Sequence, residues 1–328
     1  MRKINVGAIQ HATLPIPDRC NCLSEKYTAD ADYIMGHNIL RQSEVTLGLL
    51  EKAGEMGLDI VTTGEDICAA SPYIIDTSER NLFPELAGRS AAFVGERTSG
   101  IAEKYHMYVV ACYMKPRGGK IYNTATIFDR KGGIVGEYRK THLPPDEKWQ
   151  VAEGESVEVF DLEFGRVGVE ICYDMMFPEL SGVLSLKGAE IVFHPTAGYG
   201  WYDSIGEATL RARANDGSFY LVTAKNYVFN SAGRSGVIDF WGQILADAGF
   251  YKNVVAAKEI DLDFPKTQPE WHYQTGMSGE PDLRKRKPGE RRPGLYSPLC
   301  ENTERGKITS PEKQREIFQN VRDGIFHW

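Results

Sequence analysis

The chain reads as an α/β protein in which two sheets are flanked by helices. Apolar runs of strand length recur along it, and amphipathic stretches of helix length separate them. At 328 residues and 42% hydrophobic content it can bury a large core, and length alone allows one domain or two. We read one folded domain over residues 1–262, followed by a tail, 263–328, whose first part is rich in Pro, Gly and charge.

The elements follow in order. Ile4 to Ile9 is the first strand. Leu40 to Met56 is a helix, since Leu40, Val45, Leu47, Leu49, Leu50, Ala53 and Met56 make the broad apolar stripe of a helix laid on a sheet. Leu58 to Thr62 is the next strand, Ala91 to Lys104 the second helix and Met107 to Tyr113 a third strand. Ile121 to Arg139 reads as a hairpin turned by Asp129-Arg130-Lys131-Gly132-Gly133. Strands Val157 to Leu162 and Val167 to Cys172 come next, then helix Glu179 to Lys187, strand Ile191 to His194, helix Ile205 to Asn215 and strand Tyr220 to Ala224.

Two segments break the rhythm. His11 to Asn38 is far longer than the usual connection of about four to six residues, and a pocket rim or lid fits it as well as a surface insertion or subunit contact. The tail carries Arg284-Lys285-Arg286-Lys287 and Arg291-Arg292-Pro293, which we read as a solvated or subunit-crossing arm; Ser310-Pro311 starts a last short helix with Ser as N-cap. No internal repeat is visible.

A net charge of −7 and a pI near 5.6 speak against a general affinity for nucleic acid or anionic membranes, which need surplus Lys and Arg. The N-terminus has no apolar signal region and no run of about 18 apolar residues occurs, so a soluble, cytoplasmic protein acting on small molecules is expected. Cys20, Cys22, Cys68, Cys112, Cys172 and Cys300 are scattered, as reduced thiols are in a chain this large. Cys20-Asn21-Cys22 lacks the second ligand pair that structural zinc takes, and neither a metal nor a cofactor is expected.

The chemistry-bearing residues lie at strand ends. Gly168-Val169-Glu170-Ile171-Cys172-Tyr173-Asp174 places a thiol where a strand gives way to a polar turn. Val61-Thr62-Thr63-Gly64-Glu65 ends in a carboxylate, and Glu137-Tyr138-Arg139-Lys140-Thr141-His142-Leu143-Pro144 carries an ammonium group. Each has a blander reading taken alone. A cysteine in an apolar strand is more often packing than nucleophile, as we read Cys68 and Cys112, and a lone Glu or Lys is usually solvated. Together they form a base, a cation and a nucleophile in chain order, and a thiol at neutral pH needs such neighbours to become reactive.

That set resembles the nitrilase superfamily of carbon-nitrogen hydrolases. The resemblance runs from about Ile4 to Leu262 and places the family's Glu, Lys and Cys on Glu65, Lys140 and Cys172, with its accessory carboxylate on Glu147. Gly64 stands where Pro often precedes the glutamate, and Asp216-Gly217 follows Arg211-Ala212-Arg213-Ala214-Asn215 where Glu-Asn is usual. Ile191-Val192-Phe193-His194-Pro195-Thr196-Ala197 resembles the strand and turn that shape the family's pocket wall; Arg213 and His194 read as structural. The resemblance implies a four-layer α-β-β-α sandwich, no cofactor, and at least a homodimer.

The pair after the nucleophile narrows the chemistry. Cys172-Tyr173-Asp174 resembles the amidase and N-carbamoyl amidase branches, whereas nitrile-hydrolysing relatives typically carry Cys-Trp-Glu. Carbamoylases that act on amino acids often place arginines just beyond this turn, where this chain has Met175 and Met176. Tyr173, Met175, Met176, Thr196, Tyr199 and Trp201 are the expected substrate-binding residues, forming a partly apolar acyl pocket for a small amide or ureido compound. The alternatives are a nitrilase using the same thiol and an inactive family member serving as a binding protein. A serine hydrolase is disfavoured because Gly233-Arg234-Ser235-Gly236-Val237 fails at the last glycine of G-x-S-x-G, and Gly118-Gly119-Lys120 lacks the rest of a phosphate loop.

Overall fold

The computed structural model describes residues 1–22, 24, 27–76, 80–197, 204–227, 233–266 and 282–301. The strands are β1 (Lys3–Gln10), β2 (Ile60–Thr62), β3 (Tyr108–Arg117), β4 (Lys120–Phe128), β5 (Ile134–Arg139), β6 (Val159–Leu162), β7 (Gly165–Val169), β8 (Ile191–Thr196), β9 (Tyr220–Lys225), β10 (Gly236–Ile238), β11 (Ile244–Asp247) and β12 (Val254–Asp261). They form two six-stranded sheets, ordered β12-β1-β2-β3-β4-β5 and β11-β10-β9-β8-β7-β6.

The parallel strands dictate where the helices go, because a parallel pair needs a crossover. In the first sheet β1, β2 and β3 run parallel. Helix α1 (Ala31–Ile34) passes through a π-helical turn, Met35–Ile39, into α2 (Leu40–Glu55), which connects β1 to β2; α3 (Phe83–Tyr105) connects β2 to β3. In the second sheet β7, β8 and β9 are parallel, linked by α4 (Pro178–Leu186) and α5 (Ser204–Gly217). Each sheet then continues with two antiparallel strands, and β12 and β6 pair antiparallel with β1 and β7. The two halves thus share one pairing pattern that the sequence does not display as a repeat.

Strand alternation divides the core into layers. Ile4, Val6 and Ala8 of β1 and Ile191 and Phe193 of β8 face the space between the sheets, whereas Ile9 packs toward the α2–α3 side and Val192 toward α4 and α5. The result is the four-layer α-β-β-α sandwich expected.

Local chemistry sets the element ends. Asp30 caps α1 by accepting from the Tyr33 amide at 2.8 Å. Pro84 stands in the first turn of α3, which therefore begins at Phe83 rather than Ala91, and His106 ends it in the left-handed region. The expected hairpin turn forms, with Asp129 Oδ1 accepting from the amides of Lys131 and Gly133 at 2.8 and 2.9 Å. The strand expected to run to Cys172 stops at Val169, and Cys172 instead opens a 3-10 turn, Cys172–Met176.

The described part of the tail returns to the body. In α6 (Leu283–Gly289) Leu283 is buried with the inter-sheet core, Arg284 pairs with Glu190, which also takes Arg2 at 2.7 Å, and the Lys287 ammonium donates to the Asn215 carbonyl. Two members of the basic run are therefore anchored. The helix expected from Ser310 lies outside the described residues. Among those described, no helix is long and apolar enough to cross a membrane.

Candidate active site

Four chain segments from both sheets converge on one cleft. Glu65 follows β2, Lys140 follows β5, Glu147 opens a 3-10 turn at Glu147–Trp149, and Cys172 follows β7. Lys140 is fully buried, and its Nζ donates to Glu65 Oε1 at 2.8 Å and to Glu147 Oε1 at 2.5 Å. An ammonium has three donors, so one N–H is left over from these two bonds. Glu65 also accepts from Asn123 Nδ2 at 2.8 Å and, through Oε2, from the Ala197 amide at 2.8 Å, with the Cys172 thiol against it.

Burial and charge act in opposite directions here. Burial alone would raise Glu65, but the Lys140 charge and hydrogen bonds from Lys140, Cys172 and Ala197 hold it below the usual carboxylate range. Glu147 has fewer such donors, and burial pushes it up to about 7 despite Lys140. Burial opposes the Lys140 charge as well, yet Glu65, Cys172 and Glu147 raise its pKa well above the ordinary lysine value. Burial and the Glu65 charge push the Cys172 thiol up to about 12. At neutral pH the site therefore holds a thiol, an ammonium and an ionised Glu65.

The nucleophile turn is fixed from several sides. Cys172 has a φ of 47°, the left-handed region, which costs a non-glycine residue on the order of 1 kcal/mol and must be held by its surroundings. Asp174 supplies much of that hold. It is fully buried and accepts from the Ile171 amide at 2.9 Å, Tyr138 Oη at 2.7 Å, Thr141 Oγ1 at 3.0 Å and the His142 amide at 2.9 Å. The turn bearing Cys172 is thereby tied to the segment bearing Lys140. Arg213 Nε reaches the Met175 carbonyl at 3.0 Å and braces the turn from α5. His194, kept neutral by burial that lowers it to about 4, lies with Nε2 3.4 Å from the Cys172 carbonyl.

The cleft encloses about 770 Å³. Ile16, Ile74, Ile75, Met114 and Pro144 give it apolar walls, Asn21 and Tyr173 add polar edges, and its charged lining residues are Glu65, Asp66, Asp146 and Glu147. Ile16 and Asn21 come from the long segment after β1, which thus forms part of the rim. Thr196 is buried with its hydroxyl beside the Cys172 thiol.

The two methionines lie elsewhere. Met175 is buried in the layer beneath α4 and α5, Met176 is 48% exposed, and neither lines the cleft, because the tight turn sends one inward and the other outward. Tyr199 and Trp201 lie outside the described residues. Among the described residues no group of three or more His, Cys, Asp or Glu side chains is arranged to hold a metal.

Sequence reasoning passed over Asn123, whose amide contacts both Glu65 and Glu147. Its signal was an Asn in the middle of the strand Lys-Ile-Tyr-Asn-Thr-Ala-Thr-Ile-Phe, a place where a buried polar side chain needs partners. Gly64 also gains a reason. A Cβ there would stand 1.8 Å from Asn226 Oδ1, and Asn226 Nδ2 donates to the Glu65 carbonyl at 2.6 Å, so the corner admits no side chain.

The carbon-nitrogen hydrolase family matches residues 41–266. An omega-amidase of Xenopus laevis is 33% identical over 238 residues, 66% of this chain and 81% of that protein; the human omega-amidase is 30% identical over 233 residues, 65% and 80%. Among solved structures, a carbon-nitrogen hydrolase from Helicobacter pylori G27 superposes with a TM-score of 0.68 at 23% identity, covering 92% of this chain and 99% of that one. A double mutant of the amidase from Nesterenkonia sp. AN1, in complex with acrylamide, gives 0.67 at 19% identity, covering 91% and 98%. The chain is an amidase-like enzyme and belongs to the carbon-nitrogen hydrolases of the nitrilase superfamily.

Proposed function

We propose that the enzyme hydrolyses small neutral carboxamides or N-carbamoyl amines through a thioester on Cys172. The observation that carries the reading is the meeting of Glu65, Glu147 and Cys172 in the lining of one cleft with the Lys140 ammonium buried against both carboxylates, Glu65 being ionised and the thiol protonated. Glu65 takes the thiol proton as sulfur attacks the carbonyl carbon. The free Lys140 N–H and the Tyr173 amide hold the oxyanion that forms. Glu65 passes the proton to the departing nitrogen, the C–N bond breaks, and ammonia or an amine leaves. Water then loses a proton to Glu65 and attacks the thioester; the acid departs as the C–S bond breaks and Glu65 returns the proton to sulfur. Glu147 anchors Lys140 and faces the substrate.

The acidic lining supports the neutral substrate class, since no Arg, Lys or His is among the described lining residues. The test is ammonia release from a panel of aliphatic amides, aromatic amides, N-carbamoyl amines and nitriles, with intact-mass detection of the acyl-enzyme. Cys172→Ala should fold normally and lose essentially all turnover and all acyl adduct. Turnover retained by a contaminant-free Cys172→Ala preparation would refute the thioester route, and nitriles turned over faster than amides would refute the substrate class.

A further inference from the structure

We infer that Asn123 is a positioning residue for this hydrolysis, holding Glu65 and Glu147 at one spacing, and that the Cys112 thiol fixes the direction of its amide. The inference rests on the roles proposed for the two carboxylates. Asn123 is fully buried on β4. Its Nδ2 donates to Glu65 Oε1 at 2.8 Å and to Glu147 Oε2 at 3.3 Å, while its backbone carbonyl accepts from the Lys140 amide at 2.9 Å. One residue therefore touches three of the four site residues.

The amide has a single workable direction. Turned over, its Oδ1 would face two carboxylate oxygens and its NH2 would lose both acceptors, which is costly in a buried place. Cys112 keeps it from turning, because Cys112 Sγ donates to Asn123 Oδ1 at 3.3 Å. Burial and the nearby Glu65 charge push the Cys112 thiol well above its ordinary range, so it stays protonated and able to donate. The Cys112 backbone is fastened to the segment that carries the base. Its amide donates to Thr63 Oγ1 at 3.1 Å, and its carbonyl accepts from the Ile67 amide at 3.0 Å. Glu65 is thus referenced to Cys112 twice, through its own corner and through Asn123.

A packing role and a positioning role differ in what they do to the proton equilibrium of the base. Glu65 faces Lys140, Glu147, Asp66, Asn123, Cys112, Cys172, His194 and the Ala197 amide; removing a neutral donor from a buried carboxylate raises its pKa, whereas a packing defect lowers stability without moving that pKa. The probe is iodoacetamide, with the alkylation rate of the Cys172-containing peptide followed by mass spectrometry against pH, alongside the thermal midpoint. Asn123→Ala should move the acid limb up by about one pH unit, slowing alkylation several-fold on that limb while leaving the rate at neutral pH nearly unchanged. Cys112→Ala should shift it in the same direction by less, and Cys112→Ser, which keeps a donor, by less again. A folded Asn123→Ala protein with the wild-type limb overturns the inference. If Asn123→Ala does not fold, the cysteine pair decides: wild-type limbs in both Cys112→Ala and Cys112→Ser overturn it. Glu65→Gln separates the two levels, because a wild-type limb there would refute Glu65 as the base, whatever Asn123 does.

Discussion

Two carboxylates share the Lys140 ammonium, and their surroundings push them apart. Glu65 collects donors from Lys140, Asn123 and Ala197, whereas Glu147 has Lys140 and the longer Asn123 contact. The difference has a stability consequence with a definite sign. Glu147 titrates at about 7 in the folded protein, above the unfolded value of about 4.3, so the native state binds its proton more tightly. Its contribution is fully present below the unfolded pKa and is lost as pH rises through about 7. Glu147→Gln cannot ionise and escapes that loss. The stability of wild type minus Glu147→Gln should therefore fall between pH 4 and 8, by an amount on the order of 1–3 kcal/mol. Urea midpoints across that range measure it, and a difference that rises with pH would mean that Glu147 is held ionised by Lys140. At this level the chemistry of Glu65, Lys140 and Cys172 could be read from residue types and order, because a thiol nucleophile needs a base and a cation. Their mutual contacts could not, since Glu65 meets Lys140 across 75 residues of chain. Met175 and Met176 illustrate the limit, for adjacency to the nucleophile says nothing about which way a tight turn points each side chain.

Helices α2, α4 and α5 were legible because each buries one face, which leaves a period in the sequence, and the strands between them because both faces are buried and they read as short apolar runs. The start of α3 was not, since Pro84 moved it a full two turns ahead of the apolar pattern used to find it. Strand β12 was hidden for a different reason: it pairs with β1 across the whole chain, Lys3 opposite Asp261, and local patterning carries no information on such a partner. The tail is a third case, because its charge suggested a solvated or subunit-crossing arm and gave no sign that Leu283 and Arg284 seat α6 on the body. Leu283 is 1% exposed. Leu283→Ala should lower the unfolding free energy by about 2–4 kcal/mol while leaving turnover of the folded enzyme unchanged. A thermal or denaturant midpoint equal to wild type would show that α6 merely rests on the surface.

The whole molecule carries a net charge of −7, and the cleft concentrates the same sign through Glu65, Asp66, Asp146 and Glu147. Lys140 offsets part of this, but it is buried beneath two of those carboxylates and engaged by both. Among the described lining residues, a substrate carboxylate would meet a negative field whose only nearby cation is Lys140, already held by two carboxylates. At a separation of about 6 Å and an effective dielectric near 20, each uncompensated like-charge pair costs about 3 kcal/mol, roughly a hundredfold in kcat/KM when it persists into the transition state. The expected outcome is a neutral amide preferred by about 10- to 100-fold over a twin of the same length that ends in a carboxylate. Salt should narrow that gap, since the Debye length shortens from about 30 Å at 0.01 M to about 10 Å at 0.1 M. Measuring kcat/KM for the pair at both ionic strengths tests charge and fit separately. A preference that does not change with salt would assign selection to shape alone, and a faster carboxylated twin would require a cation in the bound complex and overturn the neutral-substrate reading.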